Sequence, residues 1–143
     1  MIYFNPKDIV SGDFYWATKQ GNKFYIAVCD STGHGVPGAF MSLLNIGFLT
    51  EAINEKRIEQ PHEVLNFVRK RLIDNISKEG QKDGFDGILL CIENKEGKPT
   101  ITYAAANNQI IAIKNNALEE MPYDRMPVGM GETTKSFNLY SIQ

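Results

Sequence analysis

The sequence predicts a segregated α/β (α+β) domain. Three observations carry this expectation: two strand-like runs open the chain, two consecutive helical patterns follow, and a series of short strand-like runs closes it, without a repeated βαβ unit. Residues 11–18 and 23–29 are rich in aromatic and β-branched side chains and flank Lys19-Gln-Gly-Asn, where Gly21 can take a positive φ, so they read as a β-hairpin. A helix is expected from about Pro37, because the amide hydrogen that proline lacks would have no partner in a first turn. Its apolar positions Phe40, Leu43, Leu44, Gly47, Phe48, Ala52 and Ile53 span a wide arc, which predicts a central helix covered over most of its circumference. After a charged turn at 54–60, a second helix begins at Pro61. Val64, Leu65, Val68, Leu72, Ile73 and Ile76 form one face of it, opposite Arg69, Lys70 and Lys78. A loop at 80–84 leads to four short strands, at 88–93, 100–105, 109–114 and 135–141, each bounded by Gly, Asn or Pro.

The 143 residues suffice for one core, and 43% hydrophobic with 22% charged residues is an ordinary globular balance. The net charge is −2 and the basic residues are scattered, which argues against nucleic acid as a partner. The longest apolar stretch, at 40–49, is interrupted by Ser42, Asn45 and Gly47 and falls short of the roughly 20 residues of a membrane span. Neither membrane contact nor a secretory signal is expected, and the setting predicted is cytoplasmic. Cys29 and Cys91 lie in separate apolar runs without C-x-x-C spacing and read as two buried free thiols.

The most informative stretch runs from Val28 to Ser42, where a buried strand passes through Asp30-Ser-Thr-Gly-His-Gly into a helix. Gly33, Gly35 and Gly38 match G-x-G-x-x-G, but the helix is followed by a second helix and not by a parallel strand, so a dinucleotide site lacks its context. A P-loop fails because Ala39-Phe40 stands where Lys and Ser or Thr are required. The remaining chemical reading pairs Asp30 with Asp13 as oxygen ligands for a hard divalent cation. By spacing alone, strand-end acids bonded to local amides are the simpler account of such a pair.

Five blocks in order extend this reading: Ser11-Gly-Asp-Phe-Tyr-Trp, Asp30-Ser-Thr-Gly-His-Gly-Val-Pro-Gly-Ala-Phe-Met-Ser, Asp83-Gly-Phe-Asp-Gly-Ile-Leu-Leu-Cys, Ala104-Ala-Ala-Asn-Asn and Asp124-Arg-Met-Pro-Val-Gly. Together they resemble the bacterial metal-dependent serine/threonine phosphatases of the PPM family, of the sporulation protein E type, over nearly the whole chain. The resemblance implies a two-sheet antiparallel β-sandwich flanked by helices, with a Mn2+ or Mg2+ centre at one end. It implies that Asp30 is a bridging carboxylate, that Asp13 completes the shell of the second metal, and that Ser31 offers its backbone carbonyl. His34 is implied as a contact to metal-bound water or phosphate and as a proton donor to the leaving oxygen. Such chemistry needs no nucleophilic side chain, since hard cations hold water and clamp phosphoryl oxygens.

Other residues are expected to be structural. His62 reads as a surface residue, Phe14, Tyr15 and Trp16 as strand packing, Asp86 as a turn or strand-start acid, and Asn107 with Asn108 as a hairpin turn. Family domains continue into a Gly-Asp strand, a Tyr-x-Asp-Gly turn and a further acidic segment, and those aspartates have no counterpart before Gln143. The expectation is a single partial domain over 1–143, lacking the terminal strands, with at most one cation and weak or no activity. The substrate class implied is a phosphoserine or phosphothreonine protein, such as an anti-sigma-factor antagonist. An open sheet edge could pair with a second copy, and the alternative function is a noncatalytic interaction or dimerisation module on the same scaffold.

Overall fold

The structure, a computed structural model, describes residues 1–33, 35–77, 83–132 and 135–143. The expected hairpin is β1 (Asp13–Gln20) and β2 (Lys23–Ser31), turning at Gly21 with φ 60°. Helix α1 (Gly35–Thr50) runs on through a π-helical turn, Glu51–Glu55, and is followed by α2 (Pro61–Asn75). Then come β3 (Gly84–Lys95), β4 (Lys98–Ala106), β5 (Ile111–Lys114), β6 (Ala117–Glu120), β7 (Val128–Gly129) and β8 (Tyr140–Ile142). The principal sheet has the order β1-β2-β3-β4-β8, with β7 on β3, and all its pairings are antiparallel; β5 and β6 form a second, two-stranded sheet. The fold class is the one predicted, helices and antiparallel sheets in segregated blocks. The last predicted strand, at 135–141, shrinks to Tyr140–Ile142, and β6 and β7 had no clear alternating pattern to announce them.

Both helices lie on one face of the principal sheet. Leu49, Ile53, Val64, Leu65, Val68 and Leu72 pack there against Phe14, Tyr25, Ala27, Cys29, Phe85, Leu89 and Ala104. Fully burying each large side chain contributes about 1.5–3 kcal/mol, so this layer dominates the stability of the domain. Cys29 and Cys91 are free and buried, as expected, and burial pushes both thiols up. On the opposite face a smaller cluster, Tyr103, Ala105 and Met121, covers the β4 end. The β1–β2 end of that face is open, with Tyr15 52% and Val28 54% exposed.

Two helix expectations need correction. The circumference of α1 is not mostly covered: Phe40 is 64% and Leu43 66% exposed, and the buried side is the narrow stripe Gly38, Met41, Ser42, Asn45 and Leu49. A wide apolar arc shows how much of a helix could be buried and says nothing about which part the fold covers. Gly35–Glu55 is also long and apolar enough to cross a membrane by length and composition, with mean hydropathy 1.4, because the helical segment extends on both sides of the 40–49 stretch. In the fold, its inner stripe is seated on the sheet.

Arg69, assigned by periodicity to the solvent face of α2, is buried. Its guanidinium donates to Lys135 O at 2.6 Å and Asn66 Oδ1 at 3.2 Å and lies 4.9 Å from the Phe137 ring centroid. Neutral oxygens and a ring face replace its water, and desolvation lowers its pKa. Helical periodicity cannot see that partner, which arrives from a segment 66 residues away. Lys78 and residues 80–82 of the expected loop lie outside the described residues.

Asp124 ties the late segments together. Its backbone N–H donates to Ala105 O at 3.0 Å, and its carboxylate accepts from Asn138 N at 2.8 Å, Asn138 Nδ2 at 2.8 Å and Tyr140 Oη at 2.7 Å. Burial and this carboxylate together push Tyr140 up to about 12. Replacing Asp124 by alanine removes three acceptor contacts and is expected to cost about 1–3 kcal/mol in urea unfolding, whereas Tyr140→Phe, which removes one, should cost about 1 kcal/mol.

Candidate functional site

The strand register brings three acids into one row. Asp13 is directly opposite Asp30 in the β1–β2 ladder, and Asp30 is directly opposite Asp86 in the β2–β3 ladder. Side chains two residues apart share a face, so these acids sit on the side away from the helices, continuing the rows of Tyr15, Val28 and Ile88. Asp86, expected as a turn or strand-start acid, lies at the start of β3, and the register also places it third in the row. Its carboxylate accepts from Asn107 Nδ2 at 2.9 Å, so the asparagine read as a turn residue is also a neighbour of the acids. Asn107 does turn the chain, with φ 56°, a conformation asparagine tolerates. Asn108 follows it, half-buried.

Asp86 occupies a gap in the sheet. One edge of β3 pairs with β7 at Gly84 and Phe85 and with β4 from Gly87 onward, so the partner changes at Asp86. A cleft of about 170 Å3 opens there, lined by Asp30, Asp83 and Asp86 with Thr32, Pro127 and Met130 among its walls. Thr32 closes one side, its N–H donating to Gly84 O at 2.9 Å while its Oγ1 accepts from Gly84 N at 3.0 Å.

The carboxylates crowd one another. Burial raises the Asp30 pKa first, and Asp13, through hydrogen bonding and charge, and the charge of Asp86 raise it further. A cation would relieve this repulsion, and hard oxygen ligands of this kind suit Mg2+ or Mn2+. The adjacent Asp13 and Asp30 fit one such ion. Among the described residues, no three His, Cys, Asp or Glu side chains are gathered closely enough to hold a metal, in part because Asp86 is turned toward Asn107.

Ser31 ends β2 beneath the row. Its N–H donates to Gly12 O at 2.8 Å, and its buried Oγ accepts from Asn45 Nδ2 of α1 at 3.0 Å. The side chain is therefore fixed between strand and helix. Ser42 Oγ joins the same network, 2.8 Å from Gly12 O and 3.3 Å from Ser31 Oγ. Asn45 is fully buried and its Oδ1 has no partner among the described residues. The carbonyl oxygens of Ser31 and Gly33 converge on Gly12, where a Cβ would meet both at 2.9 Å, and a Cβ on Gly38 would meet Gly33 O at 2.8 Å. These two glycines let loop and helix close over the strand ends. The glycine requirement at position 12 has no local sequence signal, because the carbonyls that crowd it come from Ser31 and Gly33.

His34 lies outside the described residues. His62 is half-buried at the start of α2, and its Nδ1 is buried without a partner among the described residues. Phe14 is in the core, Trp16 packs at its edge, and Tyr15 is on the open face.

A sheet flanked by paired helices is the fold of PP2C-type phosphatase domains. The SiaA PP2C domain of Pseudomonas aeruginosa is similar to this chain at TM-score 0.79 and 24% identity, covering 96% of this chain and 52% of that one. The RsbU and RsbW domains of a Mycobacterium tuberculosis protein are similar at TM-score 0.73 and 19% identity (95% and 36% covered). The phosphatase domain and regulatory fragment of SpoIIE from Bacillus subtilis are similar at TM-score 0.71 and 21% identity (95% and 39% covered). The chain thus spans about half the length of the SiaA domain it matches, and less of the others. No curated protein matches the sequence. Residues 20–142 match the family described as Stage II sporulation protein E (SpoIIE), and the chain belongs to that family of PP2C-like phosphatase domains in bacterial signalling.

Two outcomes follow from this geometry. Because the Asp30 carboxyl binds its proton more tightly in the folded state than in the unfolded chain, its contribution to stability is full at low pH and is lost as pH rises through the folded-state pKa. Asp30→Asn should therefore raise the metal-free melting temperature at neutral pH, with the difference from the parent vanishing in acid. Gly12→Ala forces a methyl against two carbonyls and should lower stability by about 1–3 kcal/mol in chemical denaturation, while Gly47→Ala, which meets open space, should not.

Proposed function

We propose that this chain is a partial PPM-type domain, over 1–143, of a phosphoprotein phosphatase that removes phosphate from phosphoserine or phosphothreonine in a bacterial signalling pathway. The supporting observation is the register row Asp13, Asp30 and Asp86, of which Asp30 and Asp86 line the cleft at the β3 edge. Asp13, Asp30 and the Ser31 carbonyl would hold Mn2+ or Mg2+, with one ion matching the two adjacent carboxylates. When bound, such an ion supplies Lewis-acid polarisation of the phosphoryl group and a more acidic water. The protein's part is to present carboxylates from three rigid strands, to hold Asp86 through Asn107, and to seat the Ser31 backbone on α1 through Asn45. In this reading His34 donates a proton to the leaving oxygen. The partner is a phosphorylated protein in the cytoplasm, an anti-sigma-factor antagonist being the class the family suggests.

A second reading has its own observation. The open sheet face at Tyr15 and Val28 and the outer stripe of α1 at Phe40 and Leu43 are apolar and exposed, which suits a noncatalytic interaction module or a dimer formed through the β1 or β8 edge. Manganese-dependent hydrolysis of a phosphoserine peptide separates the two. We expect weak or no turnover by the 143-residue chain, and turnover by a version extended at its carboxyl end that falls at least about 100-fold on Asp30→Asn. An extended version that is folded, binds manganese and is inert would favour the interaction module.

A further inference from the structure

We propose that Arg125 is the residue that grips the phosphoryl group in this cleft, a substrate-binding cation set beside the carboxylate row. This rests on the phosphatase reading and deepens it, by naming the group on the chain that recognises a phosphate dianion.

The backbone around Arg125 is pinned on both sides. Asp124 bridges Ala106 in parallel, and its C=O accepts from Asn107 N at 2.8 Å. Three residues past Arg125, Val128 and Gly129 pair with Phe85 and Gly84 of β3. Between these anchors Met126 is buried in the helix-side core. Arg125 itself is exposed at a bend of the chain, where it lines a cavity beside the face that carries Asp13, Asp30 and Asp86. Its guanidinium carbon lies 5.9 Å from the ring centroid of Tyr123, which packs with the cluster on that same face.

Arg125 borders a cavity of about 330 Å3 that also touches Asn107. This cavity and the acidic cleft share Pro127 and Met130 as walls, so they are adjoining halves of one depression. Asn107, bonded to Asp86, stands between them. Glu132 lines the cationic half as well, but forms no ion pair with Arg125, which has no carboxylate within 4.0 Å among the described residues.

A row of carboxylates alone repels a phosphomonoester. The anion needs positive charge on its far side, at a distance that leaves the carboxylates free for a cation. A guanidinium meets this need because its planar fork can donate two parallel N–H bonds to two phosphoryl oxygens, and its charge persists at any working pH. Lysine would supply the charge without the fork. Arg125 forms no covalent bond and moves no proton; it fixes which way the phosphoryl group faces.

The test uses the intact 143-residue chain and titration calorimetry with Mn2+, then with a phosphoserine peptide, its unphosphorylated form and inorganic phosphate. The parent is expected to bind the phosphopeptide in preference to the serine peptide. Arg125→Ala should weaken phosphopeptide and inorganic phosphate binding by about tenfold or more, leaving Mn2+ affinity within about twofold and the melting temperature unchanged, and Arg125→Lys should fall between. If Arg125→Ala binds phosphopeptide as the parent does, the arginine assignment is wrong and the phosphatase reading stands. Equal weakening of Mn2+ and phosphopeptide would overturn it too, by showing a structural effect. If the parent fails to bind phosphopeptide, with or without manganese, the arginine assignment is overturned, and the phosphatase reading is judged separately by turnover of the extended version.

Discussion

The candidate site depends on the ladder that sets Asp13 opposite Asp30 and Asp30 opposite Asp86. A slip of one residue in either pairing would send a carboxylate into the helix-side core and an apolar side chain toward solvent. The register is therefore enforced by burial elsewhere in the same strands. Phe14, Cys29, Phe85 and Leu89 must face the helices, and that requirement places the acids together on the other side. The cost of gathering like charges, visible in the raised Asp30 pKa, is borne by apolar packing that does not touch them.

This arrangement also explains why the acids end the strands. A carboxylate in mid-strand would be hemmed in by the apolar rows Tyr15–Val28–Ile88 and Ala17–Ile26–Leu90. At the end, the partner change on β3 opens a cleft, and the loop after β2 can close beside it because Gly12 and Gly38 admit the Ser31 and Gly33 carbonyls. The Ser31–Asn45 bond then links the strand end to α1, so displacement of that helix would be felt at the backbone beside Asp30.

Much of this was legible in the sequence, and the parts that were not share a cause. The hairpin, α2 and the order of elements follow from periodicity and turn residues, because those signals are local. Asp13 and Asp30 stood out because Asp30 precedes a glycine-rich turn and Asp13 follows Ser11-Gly. Asp86 did not, since its role depends on which residue of β2 it faces, and no spacing along the chain encodes the register that sets it opposite Asp30. Arg69 failed for the same reason: its oxygen partner is supplied by Lys135. The outer face of α1 failed differently, because Phe40 and Leu43 are apolar yet exposed, and an apolar residue specifies only that burial is favourable.

That exposed stripe and the open β1–β2 face bear on what the domain is for. Burial of apolar surface is the main driving force of folding, and a chain that leaves Tyr15, Val28, Phe40 and Leu43 in water is less stable than one that covers them. Neither patch contributes a ligand to the acidic cleft, so the chemistry of the site does not require either to be bare. The two lie on opposite sides of the sheet, and the acid row lies at the end of the open one. Anything packed on that open face would lie beside Asp13 and Asp30, whereas anything packed on α1 would reach the site through the residues it sets against the strand ends, Gly38, Ser42 and Asn45. The fold thus separates a surface that can complete the site from a surface that can adjust it.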